Sequence, residues 1–394
     1  MRQVVVLAIL MFACRIRSLR GLDRISDDAR FRDNWCTLSR AVTATVVTSK
    51  QMTNVLGALD REEVSALRPW LIKELLDAKR LPDAFVQGHL MVGCDGTGIF
   101  SRPVFHCDQC LTQQHQDGTT TYLHLMLEAK ILTHSGLALS VLSEPLLNPA
   151  DGRYDKQDCE SKAFKRLAPH LREVFPRQRL AFLLDSLYAN GPTFHLLDRL
   201  RAKFIANFKP GSIPTLYEEA LLLARLDPDQ SHTVLSGTQA HPIVSVYSWV
   251  NGLQYDGLSL NFVMCQETVD QKTTTFTWLT NFPVTRDTVV EIAAAGRLRW
   301  KIENEGFNEQ KTGYELEHFC GCSNLNVMLS LYLVLQIAHL FMQLLAHGDL
   351  IDPVSALTHL AFLLCEALRN APLPESLFEH DAPRFNIHFR KASP

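Results

Sequence analysis

The chain has 394 residues, 46% of them hydrophobic and 21% charged, with a formal net charge of −3. This is the composition of a soluble globular protein long enough for two or more domains, and a net charge so near neutral excludes a global field that would draw the chain to nucleic acid. Ten cysteines scattered through so long a chain exclude a small-domain disulfide framework and suggest a reducing compartment, with free thiols or a metal site.

The chain opens with Met1-Arg2-Gln3 and the apolar run Val4 to Cys14, which looks like a short signal-peptide core but is too short to span a bilayer. No A-x-A-like cleavage site follows. The residues before Cys14 are too large for a lipoprotein signal, and Arg15, Arg17 and Arg20 come directly after. A buried first helix whose polar face begins at Arg15 is therefore expected. Residues 1–85 read as helical, with apolar positions recurring at three and four spacing through Val55 to Leu76. Leu90 to Cys94 is a buried strand ending at Asp95-Gly96-Thr97-Gly98, read as a glycine turn. Tyr122 to Thr133 and Ala138 to Leu142 are further strands, and Lys156 to Leu171 is a helix with a basic face. Leu180 to Leu184 is a second buried strand, ending at Asp185, and Thr193 to Arg201 is a helix. From 203 to 283 the pattern changes to alternating and β-branched segments at Val244 to Tyr247, Leu258 to Met264 and Thr273 to Thr280. Arg286 to Lys311 is helical. Val327 to Leu345 is long enough to cross a membrane, but Gln336, His339 and Gln343 interrupt it, so a buried core helix is expected. Pro353 to Arg369 is a last helix, followed by an irregular tail after Pro372.

The two buried strands each end in an aspartate, and in open α/β sheets sites form at the carboxyl ends of strands. A strand-end aspartate is also a common turn or cap residue. Two such carboxylates and a third from a helix can hold two hard cations through oxygen ligands, about 4 Å apart, as phosphodiester chemistry requires. The stretch from Arg299 to Lys311 supplies the third. Arg299 and Glu303 are four residues apart and share one helix face, with Trp300 and Phe307 on the neighbouring face. Glu305 is a second candidate acid, pointing about 200° away from Glu303 on a helix, and Glu303 is preferred for its spacing from Arg299. Asp158 and Glu160 are further acids near this core. Local basic groups that could meet a phosphate backbone are Arg15, Arg17 and Arg20; Lys162, Lys165 and Arg166; and Arg297, Arg299 and Lys301.

Asp95-Gly96-Thr97-Gly98, Leu184-Asp185-Ser186-Leu187-Tyr188-Ala189-Asn190 and the Arg-Trp-x-Ile-Glu run resemble the three acidic motifs of bacterial insertion-sequence DDE transposases. The similar members carry Tyr, Arg, Glu and Lys in the last motif and a β-strand insertion before the Glu. The resemblance covers roughly residues 85 to 345. It implies an α/β fold: a ribonuclease-H-like mixed-sheet core with a strand-rich insertion, a helical N-terminal region and C-terminal helices. The chain then divides into 1–85, 86–202, 203–283, 284–346 and 347–394. The resemblance implies cleavage and joining of DNA with Mg2+ or Mn2+, held by Asp95, Asp185 and Glu303. It also implies DNA contact by Arg299 and Lys311; Trp300, Tyr188 and Asn190 are further candidates for DNA contact, although a core position suits Trp300 better. The implied partners are inverted-repeat ends and target DNA, with a homodimer in the DNA complex and no membrane, in a cytoplasmic protein associated with the nucleoid. Two departures stand out. Gly296 occupies the position of the usual tyrosine, and Lys311 lies eight residues after Glu303 where seven is common, a shift of about 100° on a helix.

A separate constellation is His106-Cys107-x-x-Cys110, with His115 and His124 beyond. The C-x-x-C spacing suits a structural Zn2+ on Cys107 and Cys110, with His115 or His106, and Cys159 as a further candidate, completing a tetrahedron. Three other classes remain beside the transposase: a ribonuclease-H-like nuclease without strand transfer, an inactive DNA-binding remnant, and a secreted or lipid-anchored protein resting on Val4 to Cys14 alone. No separate helix-turn-helix precedes the acidic motifs, so a DNA-binding segment is expected either outside this sequence or merged into residues 1–85.

Overall fold

A computed structural model describes residues 1–41, 47–239, 241–317, 324–353, 356–374 and 387–389. Five helices come first: α1 (Arg2–Ala13), α2 (Leu19–Ser26), α3 (Ala29–Ser39), α4 (Ser49–Gly57) and α5 (Arg61–Asp77). Ser18, Asp28, Thr48 and Asp60 each accept a backbone N–H in the first turn of α2 to α5, which satisfies donors that the helix itself leaves open. There follow β1 (Phe85–Val86), β2 (His89–Arg102), β3 (Leu111–Gln114), β4 (Thr120–Leu132), β5 (Ala138–Leu146), α6 (Glu160–Val174), β6 (Leu180–Leu184), α7 (Gly191–Arg199) and β7 (Lys203–Asn207). Next are α8 (Pro214–Leu226), β8 (Ser231–Gly237), β9 (Pro242–Tyr255), β10 (Leu258–Val269), β11 (Lys272–Thr280) and α9 (Val289–Arg297). A π-helical segment, Ile302–Asn308, then leads into α10 (Glu309–Tyr314), α11 (Leu325–His347) and α12 (Leu357–Asn370).

Among the described residues the strands form one mixed sheet of eleven. At its centre β4 is antiparallel to β2 and to β5, and β2, β6 and β7 run parallel. The antiparallel strands β11, β10, β9 and β8 extend the sheet beyond β7. The period of two along each strand divides the core between the two faces of the sheet. Met91, Ala181, Leu183 and Ile205 face α1, α9 and α11, whereas Leu90, Val92, Leu180, Phe182 and Leu184 face α6 and α7.

Several expectations change here. Asp95-Gly96-Thr97-Gly98 is not a turn: β2 runs straight through it, with an irregularity only between Gly98 and Phe100. Cross-strand pairing with β4 satisfies the backbone that a turn would have left open. The strand-rich region does not begin at 203, because residues 203–207 pair in parallel with β6, inside the central sheet. The strands that follow continue that sheet instead of building a second one, and α8 interrupts them. The helix from 286 to 311 is broken into α9, the π segment and α10. The expected first helix is borne out: Leu7 and Ala8 are fully buried, and α1 packs on α11. α11 is apolar and long enough to cross a membrane, yet its middle is buried in the protein. The irregular tail expected after Pro372 lies mostly outside the described residues.

A polar network is buried where β4 meets α5 and α11. Glu128, fully buried, accepts from Arg68, Ser140, Ser143 and the Tyr332 hydroxyl. Removing one partner of such a pair strands the other charge without water. Arg68→Met should therefore destabilise the protein by about 3–5 kcal/mol in urea unfolding. Adding Glu128→Gln should restore part of that loss, because the uncompensated charge is gone.

Candidate active site

β2 and β6 pair in parallel with Leu90 opposite Leu180 and Gly93 opposite Leu183. The same register places Asp95 level with Asp185, on strands about 4.8 Å apart. Each is held at its strand by its own neighbour: the Gly96 N–H donates to Asp95 and the Ser186 N–H to Asp185. The two aspartates expected from the sequence are thus neighbours, Asp185 directly after the end of β6 and Asp95 within β2, two residues beyond the last β2–β6 pair.

Glu303 is linked to Asp95 through Arg299. The Arg299 guanidinium is 4% exposed, and its Nη1 lies 2.8 Å from Glu303 Oε1 and 3.4 Å from Asp95 Oδ2. One cation therefore links a strand carboxylate to a helix carboxylate from a position 204 residues further along the chain than Asp95. The shared helix face of Arg299 and Glu303 is borne out. Its Nη1 faces the two acids, so the expected phosphate contact of Arg299 would have to use the rest of the guanidinium.

A fourth carboxylate was underrated. Glu160 opens α6 and lies against Gly96, where a Cβ would collide with its carboxylate. Glycine is required there by close approach. The Tyr188 hydroxyl donates to Glu160 at 3.4 Å. Burial, then the charge of Asp185, raises the Glu160 carboxyl above its ordinary range, although the tyrosine opposes this. Asp158, the other acid considered, is elsewhere: it accepts from Arg166 and from the Leu147 N–H and anchors the segment before α6. The signal for Glu160 was its place as the first residue of the helix facing the strand ends, which only the helix boundary reveals.

The remaining candidates separate. Tyr188 is 1% exposed and packs on Phe164, so its hydroxyl positions Glu160 and its ring is withdrawn from DNA contact. Asn190 caps α7, accepting from the Thr193 N–H. Trp300, for which a core position was expected, is 52% exposed and lies beside the Arg299 guanidinium, 5.3 Å from ring centre to Cζ. Glu305 turns away from Asp95, pairing with Lys301 at 3.0 Å. Lys311 is exposed and pairs with Glu317 at 2.8 Å. Of the basic groups expected to meet a backbone, Arg297 is engaged by Glu267 and Arg166 by Glu144 and Asp158.

Both departures of the last motif have a physical account. At Gly296 a Cβ would lie 2.6 Å from Trp278 Nε1, so an indole from β11 fills the place beside it. The extra residue between Glu303 and Lys311 coincides with the π-helical segment Ile302–Asn308. An i→i+5 turn takes up one residue more than an α turn. Lys311 is thereby rotated back toward the face it would occupy at the shorter spacing. Lys130, fully buried on β4, lies under this segment against Gly306 and Phe307.

Two acids share one buried guanidinium, and Glu160 adds a further negative charge beside Asp95. Burial, reinforced by Glu303 and Glu160 and opposed by Arg299, pushes the Asp95 carboxyl up to about 7. A group whose folded value is raised this way binds its proton in the folded state while the unfolded chain has lost it, so stability declines as pH rises from about 4 through about 7. Without added metal, thermal unfolding of the wild type should show that decline. Asp95→Asn should flatten it and raise the melting temperature above pH 7.

A scan against protein-family models finds no match to this chain, and a search of curated proteins finds no relative.

Proposed function

We propose that the protein is a DNA transposase of the DDE kind, which cleaves element ends and joins them to target DNA on a ribonuclease-H-like core. The carrying observation is the convergence of Asp95, Asp185 and Glu303: two carboxylates level on adjacent parallel strands, and a third brought to the first by Arg299. The strand order β5-β4-β2-β6-β7, antiparallel on one side of β2 and parallel on the other, supports the same reading of the core.

The donor set fits Mg2+ or Mn2+. It consists of carboxylate oxygens alone, with no nitrogen or sulfur, and hard divalent cations prefer such ligands. Burial above all, with the charges of Glu303 and Glu160 added and Arg299 opposing, raises the Asp95 carboxyl, and a bound cation would favour its charged form. Asp95, Asp185 and Glu303 would hold the ions, and Glu160 lies close enough to add charge or to accept a proton. A bound metal pair supplies an activated water or hydroxyl and stabilises the leaving oxygen of a phosphodiester. Arg299 keeps Glu303 and Asp95 oriented and lowers their mutual repulsion. Tyr188 fixes the Glu160 carboxylate. The exposed Trp300 ring at the rim offers a stacking surface for a base, and Lys311 a charge for a phosphate. The partners in this reading are the element's ends and target DNA, met by two copies of the chain in the cytoplasm.

The test is divalent-metal-dependent cleavage and joining on DNA carrying the inverted repeats that flank the gene. Asp95→Asn, Asp185→Asn and Glu303→Gln should each lower the rate by about 100-fold or more, and Glu160→Gln by about 10–100-fold. Cleavage without joining of a pre-cut 3′ end would favour the nuclease, and no activity in any metal would favour the DNA-binding remnant. Trp300→Ala should weaken DNA binding by about 1–3 kcal/mol while leaving melting temperature unchanged. Unaltered binding would remove the stacking role.

A further inference from the structure

The loop between β2 and β3 carries His106, Cys107 and Cys110, and His124 comes to it from β4. The donor atoms of these four side chains all lie within 4.8 Å of one another. Cys107 Sγ is 3.6 Å from Cys110 Sγ, and His124 Nε2 is 3.3 Å from each sulfur. With Zn–S near 2.3 Å and Zn–N near 2.0–2.1 Å, a tetrahedral ion sets its ligand atoms about 3.4–3.8 Å apart. A disulfide would need about 2.05 Å between the sulfurs, and two imidazoles would have no reason to converge on it.

We infer that His106, Cys107, Cys110 and His124 form a structural zinc site that fastens the β2–β3 loop to β4. This inference does not rest on the function proposed above. Four protein ligands close the coordination shell, which leaves no position for a substrate, so the ion is structural. His124 lies opposite Phe100 in the β2–β4 ladder, five residues beyond Asp95, or about 16 Å along the strand. The zinc is thus separate from the carboxylates. The Phe100 ring packs at a tilt against both histidines, its centre 4.6 Å from that of His106 and 5.8 Å from that of His124. The loop is tied onward: Asn148 donates to the Cys110 carbonyl and accepts from the Asp158 N–H, two residues before Glu160.

The ligand set corrects the expectation from spacing. His115 is exposed and bonds Thr121 at 2.7 Å, and Cys159 is exposed before α6. Spacing left His115 and His106 as alternatives; His106 stays with the cysteines, whereas the β3–β4 hairpin carries His115 away and returns His124.

The experiment measures zinc by elemental analysis in the full-length chain, purified reduced from zinc-supplied cells. One zinc per chain is expected, lost in Cys107→Ser and His124→Ala and kept in His115→Ala and Cys159→Ser. Should the first two variants fail to fold, the wild type decides: replacing zinc with Co2+ should give a thiolate-to-cobalt charge-transfer band. Wild type that retains no zinc and shows no such band overturns the inference. So does zinc that survives His124→Ala but is lost in His115→Ala.

Discussion

The Arg299 guanidinium sits between two carboxylates that the backbone delivers from opposite directions, Asp95 on a central strand and Glu303 on a helical segment. Everything that makes these residues a site depends on that cation. Without it, Asp95 and Glu303 would repel each other across a poorly hydrated gap, and Glu160 would add to the repulsion. With it, the acids are held close, at the cost of a carboxyl already pushed toward neutrality. Two carboxylates sharing one guanidinium, with Glu160 beside them, are the oxygen ligands that the proposed divalent-cation site would use.

The sheet and the helices share the task of holding that geometry. Parallel pairing of β2 with β6 fixes Asp95 against Asp185 through main-chain hydrogen bonds, which do not depend on side-chain identity. The helix layer is adjusted more locally. The π-helical turn lets the chain carry an extra residue between Glu303 and Lys311 without moving either end off its face. Gly306 lets that turn sit down on Lys130, and Gly296 lets the preceding helix sit down on Trp278. A helix that must place one carboxylate accurately is therefore supported by close backbone contacts rather than by a thick layer of side chains. The His106–His124 cluster lies on the same strand pair farther out, where a bound zinc would brace it beyond the reach of the acids.

Much of this was legible in the residues. Buried strands announce themselves as apolar runs, so Leu90 to Cys94 and Leu180 to Leu184 were readable, as were the aspartates that follow them. The four-residue spacing of Arg299 and Glu303 sufficed to put them on one face. What misled was punctuation. Two glycines after Asp95 read as a turn, but pairing with β4 carries the strand through them. Trp300 read as a core residue because indoles are usually buried, yet it lies at the rim. Tyr188 read as a DNA contact because it follows Asp185, yet a short 3-10 turn folds it inward onto Glu160.

The sequence by itself determined the buried strands that lead to Asp95 and Asp185 and the helix face shared by Arg299 and Glu303, because periodicity and residue chemistry act within a few residues of each other. Tertiary structure alone decided which distant groups meet. Glu160 reaches Gly96, His124 replaces His115, and Arg299 faces Asp95 instead of solvent. Each of these depends on strand order, register or helix boundary. They are set by the packing of the two core faces against the sheet, and no local pattern encodes that packing.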